Sequence, residues 1–369
     1  MGVFQCVRIV NYVKGLYPAS IFCSHRKIHP FEASSAMSSL SREDFFFELP
    51  PELIAQEPAN PRDSSRLLHL KKDSGQVSHH IFRDLPEILK DDVCLVVNDS
   101  KVIRARLWAT NSQGKREELF LLRQLHPNQW EVLGSWPEGS TWSIDEITAK
   151  SLGSCQQDST TVEFSAPIYK RLQQLGEVPL PPYVKSDKGA SGYQTIYAAV
   201  EGSVAAPTAG LHFTDEVFQG LADKGVQKEV VTLHVGYGTF AEVKEGKLEN
   251  HVMHKEWFSL SEETAQRLNE AKRAGKTILS VGTSATRVLE SQATNGVLQA
   301  GSGETDLFIY PPYEWQFVDA MLTNFHMPDR SPLMLVAALA GREPVLEAYR
   351  HAIEEKYRFY SFGDSMLVY

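Results

Sequence analysis

The sequence changes texture at about residue 167, and that change sets what the chain can fold into. From residue 66 to about 164 it is written in short strand runs broken by turns. The runs 67–70 and 77–80 flank Asp73-Ser74-Gly75, a hairpin signal. A one-turn helix is predicted after Asp84. The runs 94–97, 102–108, 119–125 and 130–133 then alternate with Asn111-Ser112-Gln113-Gly114 and His126-Pro127-Asn128. Closely spaced strands without long helices predict a small antiparallel barrel or sandwich.

Beyond residue 167 helices and strands alternate. Thr214 is placed to cap a helix reaching Lys224, with Asp215 and Glu216 at its positive end and Gly225 closing it. A strand over 229–235 follows, with Val231, Leu233 and Val235 on one face and Thr232 and His234 on the other. Ser261 caps a helix through Ala274, Gly275 ends it, and 277–281 reads as a buried strand. A further helix opens at Thr283-Ser284, 307–310 reads as a short strand, and a last helix covers about 343–356. The fold class is therefore mixed α/β (α+β). A mixed-sheet, barrel-like catalytic domain is formed by 41–66 and 165–369, with a small antiparallel β-barrel inserted at 67–164.

Residues 1–40 are different material, with Arg8, Lys14, Arg26 and Lys27 against the single acid Glu32. Their Ser and Arg content resembles a transit peptide, while Asn11, Lys14 and Pro18 interrupt the apolar core a secretory signal needs. A start at Met37, an organellar targeting segment and an ordered arm are the three readings, and fold reasoning begins near Leu40. Without this segment the chain carries 33 bases against 45 acids, so nucleic acid would need a local basic patch. Cys6, Cys23, Cys94 and Cys155 form no CxxC, which argues for a reducing, cytoplasmic compartment. No apolar run of 18 residues exists, so no spanning helix is expected.

The most unusual text is Pro207-Thr208-Ala209-Gly210-Leu211-His212-Phe213-Thr214. Small residues there let backbone approach a ligand, and the following helix start can hold an anion. In Leu233-His234-Val235-Gly236-Tyr237-Gly238-Thr239-Phe240 a strand runs into Gly-x-Gly, an incomplete dinucleotide fingerprint that a glycine-tolerant loop explains equally well. Gly282-Thr283-Ser284-Ala285-Thr286-Arg287 puts hydroxyls and a base at a helix start. His251-x-x-His254 with Glu256 lacks a further ligand at fixed spacing, so no metal site is expected. Asp306 and Asn324-Phe325-His326 stand at the ends of short apolar runs, where capping and turn roles compete with chemistry. Arg62, Arg66, Lys101, Arg104 and Arg106 are expected to gather around Asn98-Asp99-Ser100 as a phosphate-gripping patch.

Taken in order, these motifs, with Leu49-Pro50-Pro51-Glu52-Leu53 and the ending Tyr357-Arg358-Phe359-Tyr360-Ser361-Phe362-Gly363-Asp364, resemble the S-adenosylmethionine:tRNA ribosyltransferase-isomerase family of queuosine biosynthesis. The resemblance covers about residue 44 to the C-terminus. It implies that S-adenosylmethionine is consumed as a ribosyl donor, with no metal and no separate cofactor. The implied acceptor is 7-aminomethyl-7-deazaguanine at the wobble position of a tRNA, with adenine and methionine leaving. Within it, His212, His234 and His326 are the general-base candidates, and Asp306 or another of the histidines is the donor to adenine. Thr208, Gly210, Phe213, Thr214, Gly236, Gly238, Thr239, Phe240, Thr283, Arg287, Asn324 and Phe325 are the expected substrate contacts. Among these, Phe213, Phe240 or Phe325 would stack on adenine, and the 283–287 helix start would take the methionine carboxylate. Arg62, Arg66, Asn98, Asp99, Lys101 and Arg104 are the expected tRNA contacts. The expected state is a monomer with no membrane partner. Two departures from the family pattern, Asp329-Arg330-Ser331-Pro332 and Ala285, spare every base candidate. The alternatives are a methyltransferase built on Gly236-x-Gly238, which would yield S-adenosylhomocysteine, and a tRNA-binding protein without catalysis.

Overall fold

A computed structural model describes residues 40–156, 158–186, 189–236, 238 and 246–369. Twenty strands occur among them: β1 (Arg66–Leu70), β2 (Val77–Ile81), β3 (Val93–Asn98), β4 (Ser100–Val102), β5 (Arg106–Asn111), β6 (Arg116–His126), β7 (Gln129–Leu133), β8 (Thr141–Ile144), β9 (Ile147–Gln156), β10 (Ser159–Phe164), β11 (Gly176–Glu177), β12 (Val200–Ser203), β13 (Gln227–Leu233), β14 (Glu256–Leu260), β15 (Thr277–Val281), β16 (Ala293–Thr294), β17 (Val297–Leu298), β18 (Gly301–Thr305), β19 (Ala320–Asn324) and β20 (Ser365–Val368).

Nine of these form one mixed sheet in the order β18-β14-β13-β3-β15-β19-β20-β1-β2. Its centre is parallel: β13 pairs β3, β3 pairs β15, and β15 pairs β19 in the same direction. Every residue of β3 is buried, and only Thr277 of β15 is half-open. Strands covered on both faces read as continuous apolar runs, as Val93-Cys94-Leu95-Val96-Val97 does. Phe82, Leu85, Phe213, Val217 and Leu221 cover one face, and Leu268, Ala285, Val288 and Leu289 pack on the other.

The barrel is smaller than the expected 67–164. It closes from six antiparallel strands, β5-β6-β7-β10-β9-β8, with β8 returning to pair β5. Its strands alternate: Trp142 and Ile144 point inward while Thr141 and Ser143 face out. The predicted hairpin across Asp73-Ser74-Gly75 forms as β1 and β2, yet both join the mixed sheet, as does β3. The sequence carries the distinction, since 93–97 is uniformly apolar where the barrel strand β8 alternates.

Most of the other predicted elements form within a residue or two. Thr214 caps a helix at Asp215–Asp223, accepting from the Val217 amide, and Ser261 caps Glu262–Arg273 through the Thr264 amide. Gly225 and Gly275 take the positive φ a helix stop needs. The predicted strand at 307–310 is absent; β18 ends at Thr305, and the Leu307 carbonyl accepts from Arg287 instead of a ladder partner. The helix Ser331–Ala340 was not predicted, because it is buried almost all round and shows no polar face.

Candidate active site at the strand ends

The parallel centre brings four motifs to one edge of the sheet. At the carboxyl ends of β13, β3, β15 and β19 stand His234, Asn98-Asp99-Ser100, Gly282-Thr283 and Asn324-Phe325-His326. Ligands of parallel sheets bind at such ends. Antiparallel β20 sets Ser365 opposite Asn324, and β1 lies parallel to β20 with Leu67 opposite Ser365. Ser65 and Asp364 are thereby delivered to the same edge.

Asn98 locks this edge together. Its amide nitrogen donates to the Leu233 carbonyl (2.9 Å) and the Ser284 hydroxyl (3.0 Å), and its oxygen accepts the Leu233 and Ser100 amides. Its side chain has 0% exposure and its hydrogen-bonding capacity is spent, so the expected tRNA contact is replaced by a structural staple. Asp99 beside it is half-buried and accepts from the Thr232 hydroxyl at 2.7 Å, and burial raises its carboxyl pKa.

His234 leaves β13 with one ring nitrogen anchored: Nδ1 lies 2.8 Å from the buried Ser100 hydroxyl. Its ring stacks on the Trp257 indole at 4.8 Å. Nε2 faces the backbone of Gly202, where any Cβ would collide with the ring. Among the described residues Nε2 has no hydrogen-bond partner. Burial pushes the His234 pKa down to about 4, so near neutral pH the ring is uncharged.

His212 has both nitrogens engaged. It ends the short 3-10 turn Thr208–His212, in which Gly210 is required because the Tyr197 hydroxyl occupies the place of a Cβ. Nδ1 lies 2.8 Å from the Ser65 hydroxyl and Nε2 lies 3.3 Å from the Asn324 side-chain oxygen. Asn324 donates its amide hydrogens to the Tyr360 and Ser361 carbonyls, which turns its oxygen toward the ring. Nε2 therefore carries the hydrogen, and Nδ1 accepts from Ser65. Phe82 stacks on the ring, and burial pushes its pKa down to about 4, opposed by the charge of Asp364. Asp364 in turn accepts the Arg66 and Arg358 amides and the Arg358 guanidinium.

His326 holds Nε2 3.0 Å from the Thr323 hydroxyl, and its amide donates to the Tyr349 hydroxyl. Burial pushes its pKa down to about 3. Asp306 is exposed on the loop after β18. Thr283 is half-buried at the start of the helix Gly282–Gln292, and Thr208 is half-buried in its turn.

This chain is matched over residues 42–368 by the sequence model of a family described as queuosine biosynthesis protein. The chain belongs to that family. It is 44% identical over 340 residues to the S-adenosylmethionine:tRNA ribosyltransferase-isomerase of Caldanaerobacter subterraneus subsp. tengcongensis, covering 89% of this chain and 100% of the relative. It is 46% identical over 330 residues to the protein of that name from Thermotoga maritima, covering 88% and 98%. A crystal structure of S-adenosylmethionine tRNA ribosyltransferase from Thermotoga maritima aligns with a TM-score of 0.54 at 39% identity, over 88% of this chain and all of that one.

Several expected site residues of this queuosine-family chain have other work. Phe213 packs with Phe82 and Phe218, and Phe325 with Tyr349, Tyr357 and Phe359; both are fully buried and offer no face to adenine. The Thr214 hydroxyl is spent as a helix cap. Arg287 is not open to a carboxylate ligand: it pairs with buried Glu256 and grips the Leu307 and Thr305 carbonyls. Gly236 donates its amide to Glu256 at 2.7 Å, and Gly238 lies against the His254 ring. Thr239 and Phe240 lie outside the described residues.

The expected basic patch does not assemble around Asn98. Arg62 donates to the Gln194 and Gly192 carbonyls, Arg66 lies over the Tyr357 ring, and Arg104 reaches the Gln173 and Gly176 carbonyls. Lys101 pairs with Glu201 and Arg106 with Glu118. Ser65 and Trp257 were missed as site residues because they lie in no motif, and Ser100 and Asp364, though they stand in quoted motifs, carry no local signal of what they contact. Only the strand pairing shows what each one touches.

Proposed function

We propose that this chain transfers the ribosyl group of S-adenosylmethionine to the aminomethyl nitrogen of 7-aminomethyl-7-deazaguanine at a tRNA wobble position. The ribosyl unit is isomerised to the epoxycyclopentane of epoxyqueuosine, and adenine and methionine leave. Support comes from the activity printed for the relatives and from the set of histidines at the strand ends. We read S-adenosylmethionine as a consumed substrate, with no metal or cofactor. The cysteine spacing supports a reducing, cytoplasmic compartment, and we take a monomer as the working form. Among the described residues no helix is long and apolar enough to cross a membrane.

The single observation that supports His234 over the other histidines is the pair of Ser100 at Nδ1 and the side-chain-free Gly202 beside an Nε2 that has no hydrogen-bond partner among the described residues. The sulfonium of S-adenosylmethionine acidifies the attached 5′ carbon, and the Nε2 lone pair takes that proton. Ser100 accepts Nδ1–H and holds the tautomer that leaves Nε2 basic. His212, saturated by Ser65 and Asn324, orients the turn that carries it. Asp306 or another of the histidines is our candidate donor to the departing adenine, and the proton that the aminomethyl nitrogen loses as its new C–N bond forms replaces the one adenine takes as its bond to the ribosyl carbon breaks. The Thr283 hydroxyl at the helix start is the candidate for the methionine carboxylate.

Incubation of the protein with S-adenosylmethionine and tRNA bearing the aminomethyl base tests this reading. Free adenine and a heavier ribosylated nucleoside support it. S-adenosylhomocysteine would replace it with methyl transfer, and tRNA binding without turnover would leave only a binding protein. Gly236-x-Gly238 gives methyl transfer little support, because Phe240 stands where a dinucleotide fingerprint has its third glycine.

A further inference from the structure

The His251-x-x-His254-x-Glu256 text finds its use as a template for the loop that follows His234. Three residues of one short stretch face that loop. His254 lies under Gly238, which has no room for a Cβ, Glu256 accepts the Gly236 amide at 2.7 Å, and Trp257 stacks on the His234 ring. The Glu256 carboxylate has 5% exposure, and its second oxygen takes the Arg287 guanidinium. Arg287 also donates to the Leu307 and Thr305 carbonyls, at 3.0 and 3.2 Å, on both sides of Asp306. One buried ion pair thus joins the segment after His234, the helix Gly282–Gln292 and the Asp306 loop.

We infer that Glu256 and Arg287 are a positioning pair for the reaction, fixing the distance between the His234 loop and the Asp306 loop. The inference rests on the reading of His234 as the base. A buried ion pair is a poor source of net stability, because desolvating both charges offsets their attraction. Its geometric consequence is firmer, since each charge is satisfied only while all three segments keep their places. Displacing a reacting group by about 1 Å costs on the order of 100-fold in rate. Glu256→Gln keeps an acceptor for the Gly236 amide and discharges the pair, and Arg287→Lys keeps the charge and loses the fork that spans Thr305 and Leu307.

Adenine release from S-adenosylmethionine and modified tRNA would be measured for both single variants, their double variant and His234→Gln, alongside Tm. The expected result is a kcat lowered roughly 10- to 100-fold in each single variant, a smaller change in KM, and a double variant no slower than the worse single one. A pair with only a structural role would lower Tm and leave kcat per folded molecule unchanged, which overturns the proposal. Should Glu256→Gln fail to fold, Arg287→Lys decides the matter by the same split. Wild-type release by His234→Gln would instead overturn the base reading, an outcome separate from the behaviour of the pair.

Discussion

The Ser100 hydroxyl lies 2.8 Å from Nδ1 of His234, and both residues sit where neighbouring parallel strands end. Ser100→Ala removes this anchor without opening a large cavity. Adenine release is expected to fall about 10- to 100-fold, the range for loss of a group that orients a general base. Ser100→Thr, which keeps the hydroxyl, should recover part of the rate. A wild-type rate in Ser100→Ala would show that this contact does not orient the base.

Gly202 makes a complementary prediction. Its φ of +151° and the His234 ring both exclude a side chain. Gly202→Ala should drive the imidazole off the Trp257 indole and abolish most turnover, while circular dichroism retains the wild-type spectrum. Normal turnover in this variant would mean that the space beside Nε2 is not used.

The pH dependence follows from the sign of the shifts. His212 has a folded pKa of about 4, below its ordinary value of 6.5, so the folded protein binds its proton less readily than the unfolded chain. Stability from this group is fully present above pH 6.5 and is lost as pH falls from there toward 4. The loss is on the order of 3 kcal/mol by the bottom of that window. Urea unfolding at pH 7, 5.5 and 4.5 measures it, and His212→Gln should flatten the slope. With His234 pushed down to about 4, adenine release needs its neutral form and should change little between pH 6 and 8 for want of this proton. A kinetic pKa near 6.5 that disappears in His234→Gln would contradict the burial described here.

Asn98→Ala should act on stability before function. It strips partners from the Leu233 amide and carbonyl and from Ser284 at a buried seam, with a cost of about 1–3 kcal/mol per unsatisfied group. Urea midpoints report the loss. A stable variant with weakened tRNA binding would restore Asn98 as an RNA contact.

The internal engagement of Arg62, Lys101, Arg104 and Arg106 predicts a shallow salt dependence for tRNA binding. A slope of log Kd against log salt near that of two or three phosphate contacts is expected, about 2 to 3 in magnitude. A slope of about 6 or more would reveal a phosphate track elsewhere on the chain.

Local signals in the sequence were strong where chemistry acts within a few residues. Thr214 and Ser261 cap the helices they were expected to cap, and Asp73-Ser74-Gly75 turns the hairpin. The grouping of strands was harder to read. Pairing of β1 with β20 joins residues 66–70 to 365–368, and no short-range pattern reports a partner three hundred positions away. The same distance explains the site. His212, His234 and Asn324 were visible as motif residues, whereas Ser65 and Asp364 gained significance only when β1, β20 and β19 were laid side by side. Phe213 and Phe325 looked like stacking groups because an aromatic residue beside a histidine reads alike in a core and in a pocket.

The position of β20 between β19 and β1 sets the order in which this molecule can assemble during synthesis. The hairpin β1–β2 emerges among the first described residues, but β20, its neighbour in the main sheet, emerges among the last. For nearly the whole of translation that hairpin has an unpaired edge, and the Arg66 amide waits for Asp364. Contacts so distant in sequence make folding slow. The active edge is thus the final part of the sheet to exist, and a nascent chain can own every histidine of the site while still lacking the wall that holds them.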